Sequence, residues 1–121
     1  MELIIVGSGT GVPSLRRGSP ASVVKTGDKI FLFDIGSGTL ARMLRVGVTY
    51  KDVDFIFRCH IHPDHVADLV PLIFACKYNE DPRTKDLIIL GGTGFRDCFE
   101  SWSWLRVLIS SSNHFFLRGT R

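Results

Sequence analysis

Three of the four histidines in the chain fall within one stretch of six residues, together with a carboxylate, and the stretch reads HIHPDH over residues 60–65. In an extended segment, residues two apart point the same way, so His60 and His62 can offer both imidazoles to one metal ion. Asp64 and His65 follow after the chain turns and can face a second ion beside the first. Neutral imidazole and carboxylate suit zinc, manganese or iron. The residue types and their spacing therefore predict a metal site.

The flanking residues predict how this stretch is held. Residues 53–57 form a short apolar run that is typical of a strand. Downstream, apolar residues recur at helical spacing: Val66, Leu69, Val70, Ile73 and Phe74. The histidines are thus predicted on a strand-to-helix turn, and ligands collect at the carboxyl ends of strands in open α/β sheets. The alternative is an accidental run of polar turn residues.

Two further motifs accompany the histidine run. Residues 7–13 read GSGTGVP and are followed by Arg16 and Arg17, and residues 33–39 read FDIGSGT. Together the three stretches resemble the signature of the metallo-β-lactamase superfamily and, within it, of the ribonuclease Z-like metal-dependent hydrolases. The resemblance covers about residues 1–105.

The resemblance implies an α/β fold, a metallo-β-lactamase-like αββα half-fold in which a mixed sheet is flanked by helices. It implies two divalent metal ions, zinc first, with manganese or iron as alternatives. His60 and His62 would bind one ion, and Asp64 and His65 would bind the other. Asp64 would also be catalytic, as the acceptor of a proton from water.

Asp34 ends the predicted strand 29–34, and two roles are open for it. A carboxylate behind metal-bound histidines commonly fixes the imidazole tautomer, and the resemblance places an aspartate here near the metals. Alternatively, Asp34 caps the following helix. Arg16 and Arg17 likewise have two interpretations, a rim that contacts substrate phosphate or a solvated loop.

The function implied is metal-dependent hydrolysis, most naturally of phosphodiester bonds, with RNA such as the 3′ end of precursor tRNA as the substrate. The resemblance also implies ligands beyond this motif: a third histidine, a bridging aspartate and a last histidine, from a second half of the fold. We therefore expect one partial domain over residues 1–121, with an atypical tail over 106–121. The alternative is a catalytically inactive, truncated half-domain that associates through its exposed sheet.

Composition is consistent with a modest globular domain. The chain has 121 residues, of which 45% are hydrophobic and 11% aromatic, and these fractions argue against disorder. A net charge of +3 permits an anionic substrate without demanding nucleic acid. The three cysteines, Cys59, Cys76 and Cys98, are widely spaced, which indicates reduced thiols and a cytoplasmic location. No signal peptide or membrane span is expected.

Strands are predicted at residues 2–6, 21–26 and 87–90, and helices at 39–46, from about 69 to 77 and from about 95 to 105. Asp68 is the expected N-cap of the second helix, and Leu44 is an expected core residue. Cys59 and His114 are weaker candidate ligands. Apolar strands that lack a second half would expose a sheet face, so a homo-oligomer is expected.

Overall fold

The computed structural model describes residues 1–78, 80–81, 83–102 and 115–119. Six strands form one sheet, and their order in the sheet is their order in the sequence. The first three strands form antiparallel pairs, whereas the third to the sixth strands are mutually parallel. The strands are β1 (Glu2–Gly7), β2 (Ala21–Thr26), β3 (Lys29–Phe33), β4 (Phe55–Arg58), β5 (Leu87–Gly91) and β6 (Phe115–Gly119). The predicted mixed sheet with flanking helices is confirmed.

The β2–β3 hairpin turns at Gly27 and Asp28, as the dipeptide predicts. Gly27 has a φ of 57°, a backbone conformation that costs glycine little. The turn sets Thr26 opposite Lys29 and Val23 opposite Leu32. Since side chains alternate across a strand, this register sends both Val23 and Leu32 to the same face of the sheet.

Four helices connect the parallel strands: α1 (Thr39–Leu44), α2 (Pro63–Val66), α3 (Leu69–Tyr78) and α4 (Phe95–Ser101). They supply buried side chains to a core with Leu32, Ile56 and Ile89, which are register partners on three adjacent strands. The helical members of this core are Met43, Leu69, Leu72, Ile73, Cys76, Phe95 and Phe99. Burying each large aliphatic side chain contributes about 1.5–3 kcal/mol. No helix among the described residues is long and apolar enough to cross a membrane.

The opposite face of the sheet is apolar and partly open. Phe31 stacks on Phe55 with ring centroids 4.9 Å apart, and Phe33 stacks on Phe57 at 5.1 Å. Beyond this aromatic ladder the face extends to β1, where Leu3 is 64% exposed. The expectation that these strands are apolar on both sides is therefore met, and one side stays accessible in the single chain.

Several boundaries differ from the sequence predictions. Leu44 was expected in the core and is 62% exposed, whereas Met43, the residue before it on α1, is fully buried as expected. The short helix α2 was not predicted; Pro63 starts it at the first helical position, where a missing N–H costs nothing. The candidate ligand His114 lies outside the described residues.

Candidate functional site

The predicted site residues gather where parallel strands end. Asp34 directly follows β3, and His60 follows β4 by two residues, so both leave the sheet at the same edge. The carboxyl ends of parallel strands form such an edge in all open α/β sheets. His62 then precedes α2, which begins at Pro63 and brings Asp64 and His65 back over the strand ends.

His60, His62 and Asp64 form one cluster in which a donor atom from each lies within 4.8 Å of the others. A tetrahedral ion with ligands at about 2.1 Å holds its donors about 3.4 Å apart. The two imidazoles are exposed, so small side-chain rotations suffice to close this difference. The donor set, two imidazoles and one carboxylate, fits zinc, manganese or iron.

His65 adjoins this cluster through two contacts. Its ring centroid lies 3.9 Å from that of His60, and its Nε2 lies 3.4 Å from Asp64 Oδ2. From the sequence, Asp64 was paired with His65 alone. In the structure Asp64 lies between the two groups and belongs to the three-donor cluster as well. Asp64 is therefore a candidate ligand together with the two histidines as well as together with His65.

Asp34 lies behind the cluster as a buried carboxylate with two contacts. Its Oδ1 accepts a hydrogen bond from the Cys59 backbone N–H at 2.8 Å, and its Oδ2 lies 2.9 Å from His65 Nδ1. Burial by itself would raise the pKa of this carboxyl, but the hydrogen bond from the Cys59 N–H and the close contact with the His65 imidazole outweigh burial and lower the pKa. Asp34 is therefore held as a charged acceptor facing His65.

The backbone around Asp34 is fixed in an unusual conformation. Asp34 has a φ of 59°, a left-handed conformation that aspartate tolerates better than most residues. Its N–H donates to the Phe57 carbonyl at 2.7 Å, and the next N–H, of Ile35, donates to the His65 carbonyl at 2.9 Å. These bonds join the end of β3 to both ends of the histidine stretch.

Position 36, between β3 and α1, has no room for a side chain, and glycine occupies it. A Cβ at position 36 would lie 2.0 Å from the Asp64 carbonyl oxygen and 2.4 Å from Ser19 Cβ. Only glycine lets the chain pass this closely to the backbone of α2. The glycines of the 33–39 motif thus bring Asp34 within reach of His65.

The predicted capping role of Asp68 is wrong in one respect. Its carboxylate does not turn to its own helix but accepts the N–H groups of Gly38 at 3.0 Å and Leu40 at 2.9 Å. Asp68 therefore caps the start of α1, which has no capping side chain of its own. Its backbone carbonyl accepts the Leu72 N–H at the start of α3.

Arg16 and Arg17 lie exposed on the loop between β1 and β2. A Cβ built on Gly11 of this loop would lie 3.3 Å from Asp64 Cβ, so the loop passes directly over the metal-ligand candidates. The Ser14 hydroxyl accepts the backbone N–H groups of both arginines, at 3.2 and 3.3 Å. The loop therefore carries two exposed guanidinium groups, and its Gly11 part packs against Asp64.

Sequence reasoning missed Arg42, which fixes this loop. Its guanidinium donates to the carbonyls of Val6, Ser19 and Ser37 at 3.1–3.2 Å. A Cβ at Gly18 would lie 1.8 Å from Arg42 Cζ, so glycine leaves the space that the guanidinium fills. In the sequence, Arg42 looks like any solvent-exposed arginine on a helix. The only sequence feature that could have indicated its role is the set of glycines that pack against its side chain.

Arg58 was also missed. It is buried directly before the histidine stretch, with its Cζ 3.8 Å from the centroid of the Phe95 ring. Among the described residues its Nε and one terminal nitrogen have no hydrogen-bond partner. Burial lowers the pKa of this guanidinium. Stacking on an aromatic face is a contact that arginine makes well.

The three cysteines are free thiols, as expected. Burial raises the pKa of Cys76 to about 11, which makes it unreactive. Cys59 is exposed, and its contact with Asp34, followed by burial, raises the pKa of its thiol. The candidacy of Cys59 as a ligand and the cytoplasmic location stay predictions.

Comparison with known proteins identifies relatives of this chain. Residues 1–93 match the family described as Anti-Pycsar protein Apyc1. A Ribonuclease Z of Mycolicibacterium gilvum is 34% identical over 102 residues, which cover 84% of this chain and 36% of that protein. A Ribonuclease Z of Thermoplasma acidophilum is 35% identical over 94 residues, or 78% and 30%. The chain thus spans about a third of the length of these curated relatives.

Solved structures show the same fold. The metallo-β-lactamase fold protein YhfI from Bacillus subtilis superposes with a TM-score of 0.77 at 23% identity, covering 98% of this chain and 45% of that one. Human tRNase Z, short form, superposes with a TM-score of 0.76 at 25% identity, covering 98% and 43%.

Proposed function

Because the chain belongs to the family described as Anti-Pycsar protein Apyc1, within the ribonuclease Z-like metallo-β-lactamase superfamily, we propose that it is a metal-dependent hydrolase of phosphodiester bonds. The substrate that we propose is RNA, such as the 3′ end of precursor tRNA, which the names of the relatives support. The activity, substrate and metal of the whole protein are part of this proposal.

The observation that carries the proposal is the cluster of His60, His62 and Asp64 at the carboxyl edge of the sheet. Three protein donors with one open position are the usual ligand set of a catalytic zinc, whereas structural zinc sites are closed by four. The partial exposure of these side chains gives a substrate access to the open position. Asp64 and His65 are the proposed ligands of a second ion.

When bound, divalent ions would acidify water and offset charge on the phosphodiester oxygens. The described residues supply the rest. Asp34, charged and 2.9 Å from His65 Nδ1, favours the tautomer in which Nδ1 carries the proton. The His65 Nε2 lone pair then faces Asp64 and the cluster.

Asp64 is the proposed acceptor of the water proton because it is the carboxylate within the cluster and is only half-buried. Arg16 and Arg17, on the loop that passes over Asp64, are the proposed contacts to substrate phosphate. Guanidinium groups bind phosphate in a bidentate manner, so they fix the substrate and balance its charge.

Hydrolysis of bis(p-nitrophenyl) phosphate with added zinc or manganese tests the proposal on the complete form of the fold, because the resemblance implies that residues 1–121 alone lack further ligands and should hydrolyse this substrate no faster than background. Wild-type turnover should disappear with a chelator, and Asp64→Asn should lower the rate roughly 10²–10⁴-fold, the usual loss on removal of a general base. Asp97→Asn, which neutralises an exposed carboxylate on α4, is the matched control and should keep the wild-type rate. Chelator-resistant turnover, or equal rates in both variants, would contradict the assignment.

A second candidate function is supported by the open sheet face. If the chain binds no metal and hydrolyses nothing, its aromatic ladder of Phe31, Phe33, Phe55 and Phe57 remains as a surface for self-association. We propose a homo-oligomer in either case, since open apolar sheet faces attract a partner. Metal content separates the two candidates, because only the hydrolase requires the cluster to be filled.

A further inference from the structure

Three adjoining depressions follow the loop between β1 and β2 away from the metal-ligand candidates. The first, of about 290 Å³, is lined by Asp64, Pro63 and Ala67 on one side and by the loop on the other. The second, of about 280 Å³, lies between the loop and Ser37. The third, of about 250 Å³, lies beyond Arg42. Each is close to the lower end of the roughly 300–1,000 Å³ of ligand pockets.

The depressions share lining residues, so they adjoin one another in a row, and we describe them together as one groove. Gly11, Ser19 and Ser37 line both the first and the second. Arg17, together with Gly18 and Arg42, lines both the second and the third. The groove therefore begins at Asp64 and ends beside α1, with the glycine-rich loop along its length.

The charge of this groove has one sign over most of its length. Four arginines line the groove: Arg16, Arg17, Arg42 and Arg45. We call it the arginine groove. The three outer ones, Arg16, Arg17 and Arg45, are exposed, and within the described part of the chain none has a carboxylate within 4.0 Å. Of the described residues in the lining, Asp64, at the cluster end, is the only acidic one.

Arg42 differs from the other three, because backbone carbonyls occupy its donors on one side of the groove. Its charge is not neutralised by these carbonyls, since they carry only partial charges. Hydroxyl groups complete the lining of the middle part, from Thr10, Ser14, Ser19 and Ser37. Guanidinium and hydroxyl groups are the side chains that contact the phosphates and sugars of nucleic acids.

We propose that the arginine groove binds the phosphodiester backbone of a single-stranded RNA and leads one of its phosphodiesters to the cluster at Asp64. The choice of RNA rests on the proposed function, whereas the groove itself rests on geometry and charge. Among the described residues, no aromatic side chain lines the three depressions, so this lining offers no surface on which bases stack. Binding should therefore follow the backbone and be indifferent to base sequence.

Fluorescence anisotropy with a labelled RNA of about 12 nucleotides, within the roughly 4–16 that such grooves accommodate, tests this proposal. A chelator in the buffer removes any dependence on metal or turnover, so the result stands apart from that of the hydrolysis assay. The variant is Arg17→Ala with Arg45→Ala, since both side chains are exposed and their loss leaves the core intact. Lys25→Ala with Lys29→Ala removes two charges at the far end of β2 and β3 as the control.

Each lost phosphate contact should reduce the slope of log K against log salt by about 0.7, so the double variant should reduce it by about 1.4. At about 0.1 M salt, this corresponds to roughly 25-fold weaker binding. The control should bind like the wild type, and oligo(U) and oligo(A) should bind equally. No RNA binding by the wild type, or equal losses in variant and control, would overturn the proposal.

Discussion

Replacing Asp34 by asparagine should weaken metal binding without unfolding the chain. Asparagine tolerates the φ of 59° and keeps an oxygen for the Cys59 N–H. Its amide nitrogen, however, would face His65 Nδ1, which lies 2.9 Å from the present carboxylate oxygen. The imidazole would then carry its proton on Nε2, which is the atom that faces Asp64.

The magnitude follows from that change of tautomer. Removing a carboxylate that orients a ligating histidine costs about 10–100-fold in metal affinity, or about 1.4–2.8 kcal/mol. The affinity that falls should be the affinity for the ion that His65 would hold. Since Asp34 is buried, solvent cannot replace the missing charge.

Asp54→Asn is the matched control. Asp54 is also a buried carboxylate that accepts a strand N–H at 2.8 Å, that of Ile30, but its cationic neighbour is Lys85 at 3.0 Å. Zinc affinity, measured by competition with a chromophoric chelator, should fall in Asp34→Asn and stay unchanged in Asp54→Asn. Equal affinities in both variants and the wild type would refute the reasoning about His65.

Three further predictions concern stability and association. Arg83→Ala should destabilise the chain by at least about 1–3 kcal/mol in urea unfolding, because the buried guanidinium donates to four backbone carbonyls and the variant leaves them unpaired; Arg83→Lys should recover part of this, and full stability of the alanine variant would contradict it. Burial raises the pKa of Asp54, but its hydrogen bond with Ile30 and its contact with Lys85 lower it below 3.8 overall. The stability that the charged Asp54 contributes is present above pH 3.8 and is lost as pH falls through the lower pKa of the folded state. Asp54→Asn should therefore reduce the fall of unfolding free energy with decreasing pH, and an unchanged pH dependence would argue against this role. Phe33→Asp should convert an oligomer into a monomer by light scattering at roughly tens of micromolar, and a wild-type monomer there would count against association.

The part of the site that sequence predicted is the part that is contiguous in the chain. His60 and His62 lie within four residues of Asp64 in the sequence. A strand-to-helix turn keeps such residues close in space, so their proximity follows from local geometry alone. The hairpin at Gly27 is equally local. Such features depend on a few neighbouring residues, so a local sequence pattern is enough to predict them.

The rest depends on long-range packing. Sequence spacing divided the four ligand candidates into two pairs, but α2 returns over the strand end and places Asp64 with both histidines. Arg42 contacts carbonyls 23 and 36 residues away, and Asp68 caps a helix 28–30 residues before it. A lone arginine or aspartate has many possible partners, and the fold selects among them.

Metal content of the purified chain tests the central claim most directly. After exposure to zinc and dialysis, elemental analysis of the wild type should find at least about one ion per chain, because three donors converge on one position. His60→Ala with His62→Ala should retain none, while His114→Ala should retain the wild-type amount. Unchanged zinc in the His60 and His62 double variant would contradict the assignment of a metal centre to this cluster.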